Sequence, residues 1–255
     1  MQPQPTMYHR PLMPLLGPGK PIRLVWLALG NVALAEIASH AGPDAIVLDL
    51  QHGLWERGTL EAAVGVANAR TPVIARVADH SATAIATALD CGAAAVLAPM
   101  IESAEDARQV VAAGRYPPLG QRSAGGVRPL MHGLDAMREA DRHIALGALI
   151  ETRRGVDNAA AICAVPGMHF VFIGTGDLAL SLGDADTAAL ASHCAHVREA
   201  AHANGLACGL FTGNAQAARQ ALDDGYDMVV VANDIELATR GFAQAMATSR
   251  GETDA

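Results

Sequence analysis

Short apolar runs recur along this chain, each closed by a polar residue or a glycine-containing break and each separated from the next by a longer amphipathic segment. Runs of that length, without strict polar alternation, predict strands buried on both faces, as in a parallel sheet covered by helices. They fall at residues 23–29, 45–49, 72–77, 94–98, 145–150, 170–173, 206–211 and 228–231. Helices are expected between them: after the cap Asn31 to about 41, at 59–70, at 81–91 behind Ser81, and at 103–113, where Ser103 precedes Glu105 and Asp106. Further helices are expected near 134–142, 155–164, 187–204, 214–223 and 235–247. Eight strand–helix units in one chain predict a closed (β/α)8 barrel over residues 22–250, with an open doubly wound sheet as the alternative.

Two segments break the rhythm. Residues 1–21 hold six of the 13 prolines and lack the apolar core of a signal peptide, so they read as a loosely structured arm. Residues 114–133 (GRYPPLGQRSAGGVRPLMHG) form a long Gly-, Pro- and Arg-rich connection, expected to lie over the catalytic face and to bring Arg122 or nearby backbone to a substrate.

In a barrel of this type chemistry gathers at the C-terminal ends of the strands. There the chain places Asp49 and His52 after the second strand, Arg76 after the third, Glu151 after the fifth and Asp177 after the sixth. The opposite ends carry Asp44, Thr71 and His169. Residues 145–183 form one strand–helix–strand unit, which makes its two strands parallel neighbours and brings Glu151 and Asp177 together. Two convergent carboxylates suit a hard divalent cation, magnesium or manganese. Asp49 stands close enough to His52 to orient its imidazole as a general base. Arg76 could stabilise developing negative charge or form a salt bridge to Asp49 or Glu151. The turn Gly174-Thr175-Gly176 offers backbone N–H groups to a substrate carboxylate.

Composition narrows the field. Hydrophobic residues make up 51% of the chain and aromatics 4%, so the core must be built from Ala, Val, Leu and Ile. A net charge of −8 with no basic run argues against nucleic acid or an anionic membrane surface as partner. No apolar run approaches the ~18–20 residues of a membrane span. Four cysteines at unpaired spacings read as buried thiols of a reducing, cytoplasmic compartment. His193-Cys194-Ala195-His196 lacks a second ligand pair nearby and reads as a solvated helix face rather than a zinc site. Lys20, in the arm, is the chain's one lysine, which argues against Schiff-base chemistry inside a barrel.

Taken in order, WLAL (26–29), LDLQH (48–52), the arginine closing the third strand, RYPPLGQR (115–122), IETRRGVDN (150–158) and FIGTGDLALSLG (172–183) resemble the HpcH/HpaI aldolases. These are class II, metal-dependent pyruvate aldolases on a (β/α)8 barrel, related to the citrate lyase beta chain. The resemblance spans about residues 26–241 and implies an aldehyde-lyase that joins pyruvate and an aldehyde, or cleaves a 4-hydroxy-2-oxo acid, through a metal-stabilised enolate. It implies Glu151 and Asp177 as ligands of Mg2+ or Mn2+, with Co2+ as a further option, and His52 with Asp49 as the base acting through water. Arg76 would stabilise the enolate or aldehyde oxygen, the backbone at Gly176 and Asp177 would hold the pyruvate carboxylate, and Trp26 and Arg122 would line the substrate site. It also implies a homo-oligomer, hexamer or trimer, with the last helix exchanged between subunits. The chain departs from the family's usual residues at Gln51, Leu149 and Thr175, and Leu149 shares a face with Glu151. Rival readings are a citrate-lyase-like acyl-CoA or citryl lyase, which would want a basic cluster for the CoA phosphates, and a non-catalytic barrel that binds a small acid.

Overall fold

Eight parallel strands close in sequence order, with β8 returning to pair with β1, in a computed structural model that describes residues 9–183 and 187–251. The strands are β1 (Ile22–Leu27), β2 (Ala45–Asp49), β3 (Val73–Arg76), β4 (Ala95–Ala98), β5 (Ala145–Ile150), β6 (Phe170–Ile173), β7 (Ala207–Leu210) and β8 (Met228–Asn233). The helices around them are α1 (Val32–His40), α2 (Arg57–Ala67), α3 (Ala82–Asp90), α4 (Ala104–Gly114), α5 (Val127–Asp141), α6 (Arg153–Asp157), α7 (Ala159–Cys163), α8 (Thr175–Leu182), α9 (Thr187–Ala203), α10 (Ala215–Asp223) and α11 (Asp234–Ser249). The ladder from Ile22–Met228 to Trp26–Asn233 closes the barrel and rules out the open sheet. Asn31, Ser81 and Ser103 cap α1, α3 and α4 as expected, each side-chain oxygen accepting the N–H of the third residue on.

Alternation along the strands sends every second side chain inward. Ile22, Leu24 and Trp26 of β1, Val47, Ile74, Leu97, Leu149, Phe170, Phe172, Met228 and Val230 share one buried cluster inside the barrel. Two of the chain's four phenylalanines supply the bulk that its aliphatic composition lacks. Their room comes from glycine on each side: Gly147 of β5 pairs with Phe170, and Gly209 of β7 pairs with Phe172. A Cβ at these glycines would lie 2.2 Å from Phe170 Cζ and 2.0 Å from Phe172 Cδ2, so a methyl at either position would displace a ring from the barrel centre. The outward faces of the strands, with Val96, Leu146 and Val171, pack against the helices in a second cluster.

Four features differ from the sequence expectation. The described part of the arm, residues 9–21, is not loose: Leu12 is fully buried against the lower barrel layer, with Met13 and Leu16 beside it. Covering the apolar bottom of the barrel with one leucine is worth about 1.5–3 kcal/mol, a contact no local period could announce. The connection at 114–133 is shorter than expected, because α5 starts at Val127 and bends at Gly133. It also lies on the other end of the barrel. It follows α4, which has carried the chain back to the N-terminal ends of the strands, so Arg115 donates to Ile144 O (2.9 Å) just before β5. Arg122 donates to Asp90 (2.9 Å) at the foot of α3 and stacks over Tyr116. The helix expected at 155–164 is two short ones, α6 and α7, and the turn at Gly174 opens directly into α8.

α11 covers little of the barrel. Asp234 is its one buried residue, while Leu237, Phe242 and Met246 are all more than half exposed. The four cysteines are free and buried. No helix among the described residues is long and apolar enough to cross a membrane.

Candidate active site

The inward alternation that fills the barrel continues past its last apolar layer into ionisable groups. On β2 it runs Ala45, Val47, Asp49; on β3 Ile74, Arg76; on β5 Ala145, Gly147, Leu149 and then Glu151, one residue beyond the strand. Asp49 and Arg76 are direct neighbours in the β2–β3 ladder. With His52, Trp26, Gly176 and Asp177 they line one cavity of about 620 Å³ at the C-terminal mouth, walled by Leu149, Phe172 and Phe211. A larger cleft of about 970 Å³ between α3 and α4 lies outside the barrel and holds none of these groups except the misplaced Arg122. Arg122, expected at the mouth, lies within one chain at the N-terminal end of the barrel, because α4 carries the connection back there.

Asp49 is the hub of one half of the site. It accepts from Arg76 Nε (2.8 Å) and, through its second oxygen, from Arg76 Nη2, a two-point pair that only a guanidinium can make. Trp26 Nε1 donates to it at 3.2 Å, and Arg76 lies 5.1 Å from the Trp26 ring centroid. Burial alone would raise the Asp49 carboxyl; the hydrogen bond and charge of Arg76, helped by the His52 N–H and Trp26, outweigh it and hold the group below its ordinary value. Of the two readings of Arg76, the salt bridge to Asp49 is realised. A substrate oxygen would be met by the remaining N–H groups of Arg76.

His52 differs from expectation in how it is held. Asp49 accepts its backbone N–H (3.2 Å) and that of Gln51 (3.0 Å), so the carboxylate fixes the turn that carries His52 rather than the imidazole. The residue is exposed and lines the cavity.

The other half of the site is acidic. Glu151 is 1% exposed; its Oε1 accepts the Met100 N–H at 2.8 Å, and its Oε2 is buried with no hydrogen-bond partner among the described residues. Burial, reinforced by the charge of Asp177 and opposed by the Met100 N–H and Arg76, pushes the Glu151 carboxyl up to about 7. Gly174 makes space for it, since a Cβ there would sit 2.7 Å from Oε2. Asp177 stands in the first turn of α8, where the helix dipole favours negative charge and the leading N–H groups have no intrahelical acceptor.

A buried carboxylate oxygen without a donor is costly, and a cation is what would satisfy it. The donor set is two carboxylates, and no cluster of three or more His, Cys, Asp or Glu suited to a metal occurs among the described residues. An oxygen-only, under-filled set fits a hard divalent cation whose other positions go to water and substrate.

Several lining groups carried no signal in the sequence. Phe211 lies beyond β7, and Ile235, Thr239 and Arg240 come from the first turns of α11; the Met100 amide, which binds Glu151 from outside the cavity, is a backbone donor. Asp234, a carboxylate after β8, was visible by the strand-end rule that found Glu151. It is structural, accepting the N–H of Ala28 and of Leu29 at 2.9 Å.

Fold and site together define a (β/α)8 protein whose ionisable groups converge at the C-terminal ends of its strands. The family model described as HpcH/HpaI aldolase/citrate lyase matches residues 23–240. The chain is 36% identical over 241 residues to a hydroxypyruvate/pyruvate aldolase of Rhizorhabdus wittichii, covering 91% of this chain and 95% of that protein. It is 32% identical over 254 residues to a hydroxypyruvate/pyruvate aldolase of Paraburkholderia phytofirmans, covering 94% and 98%. The crystal structure of an HpcH/HpaI aldolase/citrate lyase family protein from Burkholderia cenocepacia superposes with a TM-score of 0.85 at 32% identity, over 91% of this chain and 95% of that one. The chain belongs to the HpcH/HpaI aldolase/citrate lyase family.

Proposed function

We propose that this protein is a divalent-metal-dependent pyruvate aldolase, a carbon–carbon lyase that joins pyruvate to an aldehyde or cleaves the resulting 4-hydroxy-2-oxo acid. The observation that carries the reading is the convergence, in one cavity, of the unpartnered Glu151 Oε2 and Asp177 with Arg76 and His52. Glu151 and Asp177 would hold Mg2+ or Mn2+, with Co2+ as a further option. When bound, the cation supplies Lewis acidity toward the oxygens of a 2-oxo acid.

The chain's own residues account for the rest. The leading N–H groups of α8, at Gly176 and Asp177, receive the substrate carboxylate. Arg76, clamped by Asp49, faces the oxygen that gains negative charge. His52, on the turn that Asp49 fixes, exchanges a proton with substrate through a water. Trp26, Leu149 and Phe172 wall the cavity with apolar surface, which strengthens each of these electrostatic contacts.

The experiment is exchange of pyruvate methyl hydrogens with deuterated water, followed by NMR with Mn2+ or Mg2+ and no aldehyde. Wild type should exchange, and His52→Ala should lose roughly 10²–10⁴-fold of the rate. An unchanged rate in His52→Ala removes His52 from its role. No exchange in wild type with any divalent cation overturns the function itself.

The same reading includes assembly as a homo-oligomer, hexamer or trimer, with α11 exchanged between copies. Its support is a pair of unpartnered surfaces. α11 presents Phe242 (74% exposed) and Met246 (53%). Beside it, Leu34 and Ile37 of α1 with Val25, Leu27 and Val231, and Leu237 and Ala238 from the start of α11, line an open apolar cleft of about 550 Å³. The four free, buried thiols support a reducing, cytoplasmic setting.

A further inference from the structure

Among the described residues, Met100 is the one non-glycine residue with positive φ, at 56°. The left-handed region is unfavourable for any residue with a Cβ, and a chain tolerates it where the surroundings compensate. Met100 follows Pro99 at the end of β4, and Pro99 has no N–H. The first amide available after the strand is therefore that of Met100, and the turn aims it at Glu151 Oε1, 2.8 Å away. The next amide, Ile101, donates to Leu149 O at 3.2 Å. Two successive N–H groups thus grip β5 and the residue beyond it, while Met100 as a whole remains 43% exposed. It lines neither the cavity at the strand ends nor the cleft between α3 and α4.

The effect on Glu151 is specific. One carboxylate oxygen is occupied by the Met100 amide. The other, Oε2, is turned toward Gly174, buried and without a partner among the described residues. We propose that the Met100 turn is a positioning device that fixes the Glu151 carboxylate so that Oε2 is the oxygen offered to the divalent cation. The backbone conformation does this; the methionine side chain takes no part. The inference rests on Glu151 and Asp177 being the cation site.

Mn2+ affinity, read by EPR titration of the metal-free protein, tests it without reference to turnover. Met100→Gly keeps the N–H and enters the left-handed region freely, so its Mn2+ dissociation constant should stay within about twofold of wild type. Met100→Val places a β-branched residue where it is least tolerated; the turn should relax, the N–H should leave Glu151, and affinity should weaken about tenfold or more. Circular dichroism establishes that each variant is folded. If Met100→Val does not fold, the Met100 amide itself is read in the metal-free protein by hydrogen exchange. It should be protected in wild type and lose that protection in Glu151→Ala. Unchanged affinity in folded Met100→Val, a Met100→Gly variant as weak as Met100→Val, or an unprotected Met100 amide each overturns the proposal. No Mn2+ binding by wild type, or full binding by Glu151→Gln, overturns instead the cation site on which it rests.

Discussion

Replacing Glu151 by glutamine should change the pH dependence of stability in the metal-free protein, in a direction opposite to the usual behaviour of carboxylates. The ordinary carboxyl of a glutamate titrates near 4.5, and in the folded chain burial and the neighbouring Asp177 push Glu151 up to about 7. Between those values the native state binds a proton that the unfolded chain does not, so unfolding free energy falls as pH rises through the window. The whole effect, from 4.5 to about 7 at about 1.36 kcal/mol per pH unit, is about 3 kcal/mol, of which about 2 kcal/mol lies between pH 5.5 and 8. Other groups act on the same scan. His9 and His169 are pushed down to about 4, chiefly by burial, and they make stability rise with pH between about 4 and 6.5. The informative quantity is therefore the difference between wild type and Glu151→Gln, in which the histidines cancel. Scanning calorimetry with a chelator, at constant ionic strength, should show wild type losing about 4–8 °C relative to the variant on going from pH 5.5 to 8, at ~2–4 °C per kcal/mol for a chain of this size. A wild type and variant that run parallel across that range would show that Glu151 is not held in a site that disfavours its charge.

Gly174→Ala should weaken Mn2+ binding about tenfold or more while leaving the fold intact. Its φ of −85° is open to any residue, but the new Cβ would lie 2.7 Å from Glu151 Oε2 and push the carboxylate aside. Calorimetric titration with Mn2+ checks this, and an unaltered affinity would mean that Glu151 does not bind through that oxygen. Phe242→Asp with Met246→Asp should reduce the molar mass seen by light scattering, because each buried apolar side chain in an exchanged α11 is worth about 1.5–3 kcal/mol per subunit. An unchanged mass in the double variant would refute exchange of that helix as the basis of assembly.

Local pattern carried much of the fold. The bounds of β2, β5 and β6 were readable because each is an apolar run with a sharp polar or glycine stop, and the caps Asn31, Ser81 and Ser103 acted through hydrogen bonds only three residues long. The strand-end rule likewise exposed Asp49, Arg76, Glu151 and Asp177, because a parallel barrel puts the ends of all its strands on one rim. Other features depend on which distant segments meet. Whether the 114–133 connection covers the mouth or the foot turns on its following a helix, α4, and for that reason Arg122 lies at the foot beside Asp90. Asp49 could be expected to orient the imidazole of His52, yet a two-point partner in the next strand, Arg76, and the backbone of its own turn claim its oxygens. Leu12 beneath the barrel, Gly147 and Gly209 beside two phenyl rings, and the Met100 amide on Glu151 lie outside any sequence period, since packing volume and backbone donors are properties of partners rather than of residues. By itself, then, the order of residues determined the strands, their parallel direction and the ionisable groups at their ends, because strand period, caps and crossovers are local physics. Tertiary structure alone decided which of those groups pair and which oxygen of Glu151 is left without a donor, because hydrogen bonding and burial are settled only when the eight strands close.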